Sequence, residues 1–135
     1  MGMSKLILTL ELILILKNTV MFDFQKLEVY KKAKLFHFNC KELLFHQRHE
    51  KYVVDQLGRA SFSIVPNIAE GSGKPSPGDR RNYFTIARGS VFESVTVLDL
   101  LFDEGKITDA DYTLNLKLAD EISRMLFALI RIHAA

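Results

Sequence analysis

The chain has no tryptophan, one cysteine and three prolines in 135 residues. A lone Cys40 excludes an intramolecular disulfide and a cysteine-built zinc site, and it suits a reducing cytoplasm. So few prolines, beside seven glycines, exclude collagen-like and proline-rich linker architectures. Neither sign of charge dominates, since 18 Lys and Arg against 16 Asp and Glu leave a net charge of +2. That surplus does not mark a nucleic-acid binder, so any such reading rests on where the charges lie. Also missing are a phosphate-cradling glycine loop, a nucleophile elbow and an H-E-x-x-H pair. Gly71-Ser-Gly73 follows a helical pattern rather than a strand, which is the wrong context for a phosphate loop. Cys40 falls on an apolar helical face and reads as core rather than nucleophile. His46 and His49 lie near Cys40, Glu42 and Glu50 in sequence, but no complete ligand set is visible. A protein without enzymatic activity, metal or cofactor is expected.

What is present is a balanced composition, 48% hydrophobic and 25% charged. It fits one globular domain and not a disordered chain. The one long apolar run, Leu6 to Leu16, has eleven residues, against roughly 20 for a membrane-spanning helix. Lys5 before it imitates a secretory signal, yet Glu11 interrupts it and no A-x-A-like site follows at Lys17-Asn18-Thr19-Val20. Residues 1–21 therefore read as an apolar N-terminal extension and 22–135 as the domain, with Met21 a second possible start. An apolar stretch left exposed is an aggregation hazard. It is expected to be covered by the domain or by a neighbouring subunit.

Four segments carry helical periodicity. The first runs from about Phe24 to Phe45, with Val29, Ala33, Phe36, Cys40 and Leu43 on one face. The second runs from about Glu50 to Glu70, with Val53, Leu57, Ala60, Ile64 and Ile68 as its stripe. Pro66 falls inside it, removes one backbone donor and crowds the Phe62 carbonyl, so a kink is expected, with Ser61 and Ser63 placed to compensate. Gly71 and Gly73 supply a stop. Ser76 caps the third helix, with Pro77 in the first turn and Asp79 three residues on; its stripe is Phe84, Ala87, Val91, Val95, Leu98 and Phe102, and Gly105 ends it. The fourth starts at Thr108 and carries Leu118, Ile122, Met125, Leu129 and Ile132. Four such helices with short connections predict an all-α, antiparallel, up-down-up-down four-helix bundle.

Two stretches stand out. Arg59-Ala-Ser-Phe-Ser-Ile-Val-Pro-Asn-Ile-Ala-Glu-Gly-Ser-Gly73 spends Ser, Pro, Asn and Gly where helix interiors rarely do. Tyr83-Phe-Thr-Ile-Ala-Arg-Gly-Ser-Val-Phe-Glu93 puts Gly89 in mid-helix at a cost of about 1 kcal/mol relative to Ala. So small a residue, with Ser90 beside it, suggests close approach of another helix. Asn67, Glu70, Arg88 and Glu93 read as a structural polar network between the second and third helices, because buried polar groups must be paired.

These stretches resemble the S-I-P-x-N-I-A-E-G and A-R-G-S-x-x-E signatures of bacterial proteins encoded in intervening sequences of 23S rRNA genes, the "S23 ribosomal protein" family. Phe24-Gln-Lys-Leu-Glu-Val-Tyr-Lys-Lys-Ala33 is similar to that family's F-x-x-L-x-V-W-x-x-A, and Gln56-Leu-Gly-Arg-Ala60 adds to the match. The resemblance spans about residues 22 to 132. Gly58 stands where a basic residue is common, and Lys74 where Arg is common. The resemblance implies a four-helix bundle. Through the accessory variability determinant of diversity-generating retroelements, it also implies a homopentamer that binds nucleic acid and partners a reverse transcriptase.

The charges are polarised. Between Phe24 and Arg48 six Lys or Arg face two Glu, while Asp99, Asp103, Glu104, Asp109 and Asp111 crowd the third turn. Repeated around a ring, a modest basic patch becomes a strong, salt-sensitive field. Candidate phosphate contacts are Arg59, Lys74, Arg80, Arg81, Arg124 and Arg131, with Arg59 and Arg88 alternatively committed to Glu70 or Glu93. The expected function is a non-catalytic, cytoplasmic, homo-oligomeric accessory that binds RNA or DNA and no membrane. The alternative is a structural or protein-interaction bundle.

Overall fold

In chain order the elements are α1 (Gly2–Thr19), a 3-10 turn (Asp23–Lys26), α2 (Glu28–His46), α3 (Lys51–Gly73), α4 (Pro77–Asp103) and α5 (Asp109–Ile132). The computed structural model describes residues 2–134, the side chains at 2–4 and 17–19 excepted. Met1 and Ala135, the outer limits of the two expected segments, lie outside the described residues. Among the described residues the chain is all-helical, with no strand.

The helix starts follow from the caps. Ser76 Oγ accepts from Asp79 N at 3.2 Å, and Thr108 Oγ1 accepts from Asp111 N at 3.1 Å. Each pair satisfies a donor that the first turn leaves without a helical partner. Gly105, at φ 68°, makes the reversal after α4, a conformation that side chains with a Cβ resist.

The core is shared by α2–α5. Val29, Ala33, Phe36, Cys40 and Leu43 of α2 pack with Leu57, Ile64 and Ile68 of α3. Phe84, Val91, Leu98 and Leu101 of α4 and Leu118, Ile122 and Leu126 of α5 complete it. α3 packs against α2 and α4, α4 also against α5, and α5 closes onto α2. On the last two helices the buried face drifts from the expected stripe. Leu101 and Leu126 are buried where Phe102 and Met125 were expected, and Ile132 is exposed. An even four-three spacing follows a 3.5-residue period, whereas a straight helix turns every 3.6 residues and slips off that line.

α3 runs through Pro66 without interruption. Asn67 Nδ2 donates to the Ser63 carbonyl at 2.8 Å and to Ser63 Oγ at 3.1 Å. The side chain thus braces the turn just before the proline. Close approach of α3 to α4 falls at Gly71 and not at Gly89. A Cβ on Gly71 would lie 2.8 Å from Phe84 Cε1 and 3.1 Å from Tyr83 Cβ, while one on Gly89 would meet nothing within 4 Å. Gly89 is exposed; its neighbour Ser90 is the residue that reaches α3.

Of the two covers expected for the extension, the chain's own domain does not supply one. Among the described residues α1 touches no other element. The leucines and isoleucines from Leu6 to Leu16 are 43–64% exposed. The run is apolar on nearly every side, which is the pattern of a helix that gets buried, and its own bundle does not bury it. Among the described residues, no helix is long and apolar enough to cross a membrane.

Candidate nucleic-acid interface

The chain brings the end of α3, the start of α4 and the end of α5 to one end of the bundle. Lys74 follows the last residue of α3, Arg80 and Arg81 open α4, and Arg131 lies in the last turn of α5. Arg80 Nε donates to the Lys74 carbonyl. Arg81 Nη1 donates to the His133 carbonyl at 2.9 Å, which ties α4 to the end of α5. The His133 ring stacks on Phe84, with centroids 6.0 Å apart. Lys74 Nζ sits 5.1 Å from the centre of the Tyr83 ring and 3.5 Å from Glu70 Oε2. Among the described residues, Arg80, Arg81 and Arg131 have no acidic partner.

The other two candidates stand apart. Arg59 is four turns back along α3, about 20 Å from Lys74 at 1.5 Å per residue. Arg124 lies two turns before Arg131, and its Nε is engaged by Asp120 Oδ2 at 2.9 Å. Of the six candidates, then, Lys74, Arg80, Arg81 and Arg131 share one end, and Arg59 and Arg124 do not join them.

Asn67, Glu70, Arg88 and Glu93 form no single network. Asn67 belongs to a chain of hydrogen bonds that crosses from α3 to α4 through Ser63 and Ser90, whose hydroxyls are 3.0 Å apart. Glu70 pairs with Lys74. Arg88 turns to α5, donating to the Ser123 carbonyl at 3.3 Å and lying over Phe92 and Phe127. Glu93 accepts from Gln56 Nε2 of α3.

A second polar cluster was not read from the sequence. His37 Nδ1 and Ser61 Oγ are 2.8 Å apart across α2 and α3, and the Ser61 hydroxyl donates to the Gly58 carbonyl at 3.4 Å. Burial, followed by the Lys41 charge, holds the His37 ring below its ordinary pKa. Burial pushes the nearby Cys40 thiol up to about 12, against a smaller opposing effect of Ser61. The available signal was Ser61, a hydroxyl inside an apolar stripe.

Beside this cluster the α2–α3 surface opens into a groove of about 450 Å³, lined by His37, Lys41, Leu44, Phe45, Val54, Gly58, Arg59 and Phe62. On the α4–α5 side a groove of about 370 Å³ runs past Phe92, Val95, Leu116 and Ser123. At the end opposite the arginines, Tyr112 OH donates to Asp99 Oδ1 at 2.8 Å, and that bond raises the phenol's pKa. Lys32 and Glu121 join α2 to α5 at 2.8 Å, raising the amine's pKa and lowering the carboxyl's through their shared hydrogen bond. Among the described residues, no group of three or more His, Cys, Asp or Glu could hold a metal ion.

Fold and site together define a helical bundle with one cationic end. Residues 25–128 match the 23S rRNA-intervening sequence protein family, and the chain belongs to that family. It is similar to the crystal structure, at 1.70 Å, of a protein of unknown function from the S23 ribosomal protein family of Bacteroides thetaiotaomicron. The two are 27% identical with a TM-score of 0.71, and the match covers 76% of this chain and 97% of that one. No curated protein matches the chain.

Proposed function

We propose that this protein is a non-catalytic, homo-oligomeric accessory that binds RNA or DNA through the cationic end of an antiparallel, up-down-up-down bundle of α2–α5. The carrying observation is the convergence of Lys74, Arg80, Arg81 and Arg131 from three helices. Each backbone carbonyl bond engages one of a guanidinium's five donors. Arg80 and Arg81 are thereby positioned and keep donors for phosphate oxygens. Contacts of this kind fix a backbone and read little sequence. Assembly is supported by uncovered aromatic side chains, among them Phe45 and Phe62 on the α2–α3 side and Phe92 and Phe127 on the α4–α5 side. A pentamer, a reverse-transcriptase partner and a cytoplasmic location rest on the family resemblance and on the single free cysteine. The same aromatic side chains favour the second reading, a protein-interaction bundle that binds no nucleic acid.

The test is fluorescence anisotropy of labelled single-stranded RNA, duplex RNA and duplex DNA over a salt series, with mass by light scattering on the same sample. Micromolar or tighter binding by an oligomer, falling steeply with salt, is expected. Replacing Arg80 and Arg81 together by Ala should lower affinity and flatten the salt slope by about one per lost phosphate contact, with helicity retained. A folded oligomer that binds nothing at low salt overturns the nucleic-acid reading in favour of the second.

A further inference from the structure

Two surfaces of this chain are left uncovered, and they are complementary. The first is α1. Its apolar run carries one acid, Glu11, which has no ion pair among the described residues, and Leu8, Glu11 and Leu12 share a face at three- and four-residue spacing. The second is the α2–α3 groove. Its walls are Leu44, Phe45, Val54 and Phe62, and two cations that have no acidic partner among the described residues, Lys41 and Arg59, line it as well. Val54, Gly58 and Phe62 follow one another at four-residue spacing on α3, so Gly58 is a gap between two large side chains. That gap is open, since a Cβ there would meet nothing within 4 Å.

We propose that the α2–α3 groove is the seat of α1 from a second copy of this chain, with Leu12 filling the gap at Gly58 and Glu11 meeting Lys41 and Arg59. The proposal rests on the homo-oligomeric part of the reading above and names the surface through which one subunit holds the next. Charge complementarity selects the occupant. A carboxylate carried into an apolar groove is costly unless a cation meets it there, and this groove holds two. A lipid surface offers Glu11 no such partner. The second copy, rather than the same chain, follows from the placement of α1. It stands free of its own bundle and is joined through Val20–Phe22 to the 3-10 turn, which packs beside the far end of α3 at Pro66 and Gly73. An arm that already projects can enter a neighbour's groove without rearranging its own subunit. The assignment also accounts for Arg59 standing about 20 Å from the cationic end. Its role here is to bind protein, not phosphate.

The test mixes two full-length variants, Leu12→Cys and Gly58→Cys, and treats them with a short bis-maleimide. Buried Cys40 serves as the internal control for non-specific reaction. A covalent dimer that forms in the mixture, and in neither variant alone, is expected. Adding Glu11→Arg to the first variant should reduce that dimer to the level of the single-variant controls. Adding Arg59→Glu to the second as well should restore it. A dimer from Leu12→Cys alone would show that arms pair with arms, and an internally linked monomer from a chain carrying both Leu12→Cys and Gly58→Cys would show that the arm folds back. Either overturns the proposal, as does the absence of any mixed dimer. Light scattering separates the two readings. A folded oligomer without the mixed crosslink removes only the arm docking, whereas a monomer removes the assembly too.

Discussion

Alanine at Gly71 and alanine at Gly89 are the same chemical change in neighbouring helices, and the structure gives them opposite signs. In an exposed helix interior, replacing Gly by Ala stabilises by roughly 0.5–1 kcal/mol, because the unfolded chain has less freedom to lose. Gly89 meets that condition, since its Cβ would enter open space. At Gly71 the new methyl would sit 2.8 and 2.9 Å from two atoms of the Phe84 ring and 3.1 Å from Tyr83 Cβ. Phe84 cannot easily give way, being 2% exposed in the core and stacked on His133. Overpacking of this kind costs about 1–3 kcal/mol, and the propensity gain near a helix end offsets only part of it. The expected net change is a loss of about 1–2 kcal/mol for Gly71→Ala and a gain of up to about 1 kcal/mol for Gly89→Ala. In a domain of this size that separates the two melting temperatures by roughly 5–10 °C. The assay is thermal and urea unfolding by circular dichroism, at one protein concentration because the proposed assembly would add to apparent stability. Should both variants gain stability, the α3–α4 seam is loose at Phe84 and the packing argument fails.

Other expectations are smaller. Ser76→Ala removes the α4 cap and should cost about 1 kcal/mol, read as a lower urea midpoint; an unchanged midpoint would mean that water replaces the hydroxyl. The Cys40 thiol, pushed up to about 12 by burial, should resist an aromatic disulfide reagent at about pH 8 in the native protein and react at once in denaturant. Rapid native labelling would show that the core opens at α2. For His37, a folded pKa below the unfolded value of 6.5 means that the unfolded chain binds more protons below that value. Its contribution to stability is complete above pH 6.5 and is lost as pH falls from there through the folded pKa. His37→Gln should remove that component from urea midpoints measured between about pH 7.5 and 5.5. Identical pH profiles for the two proteins would refute it.

The helices were legible because their signals are local. Ser76 with Asp79 and Thr108 with Asp111 are caps written within four residues, and the α2 stripe from Val29 to Leu43 is buried as spaced. What was not legible depends on which helix faces which. Gly71 read as a stop and Gly89 as a contact, since either glycine could serve a close crossing and only the packing decides between them. Arg88 read as a partner for Glu70 or Glu93, but it reaches α5, whose position no α4 residue encodes. The cationic end was half legible. Arg80 and Arg81 adjoin in sequence, but the link from Arg81 to His133 spans 52 residues and exists only once α5 returns.

The two stretches that carry the family resemblance prove to be the two sides of one seam. Ile64 and Ile68 of α3 lie in the core with Ala87 and Val91 of α4. Ser63 meets Ser90 across the seam, Asn67 braces Ser63, and Gly71 admits Phe84. Changing one side of such a seam leaves a cavity, a clash or an unpaired hydroxyl on the other, so these positions are tied to one another by packing alone. None of the four cations at the basic end lies within the core of that seam. Family membership therefore transmits the α3–α4 crossing, while the charge that would meet a phosphate sits outside the core of that seam. Binding has to be measured on this chain, through Arg80 and Arg81, because the packing of the seam does not report on them.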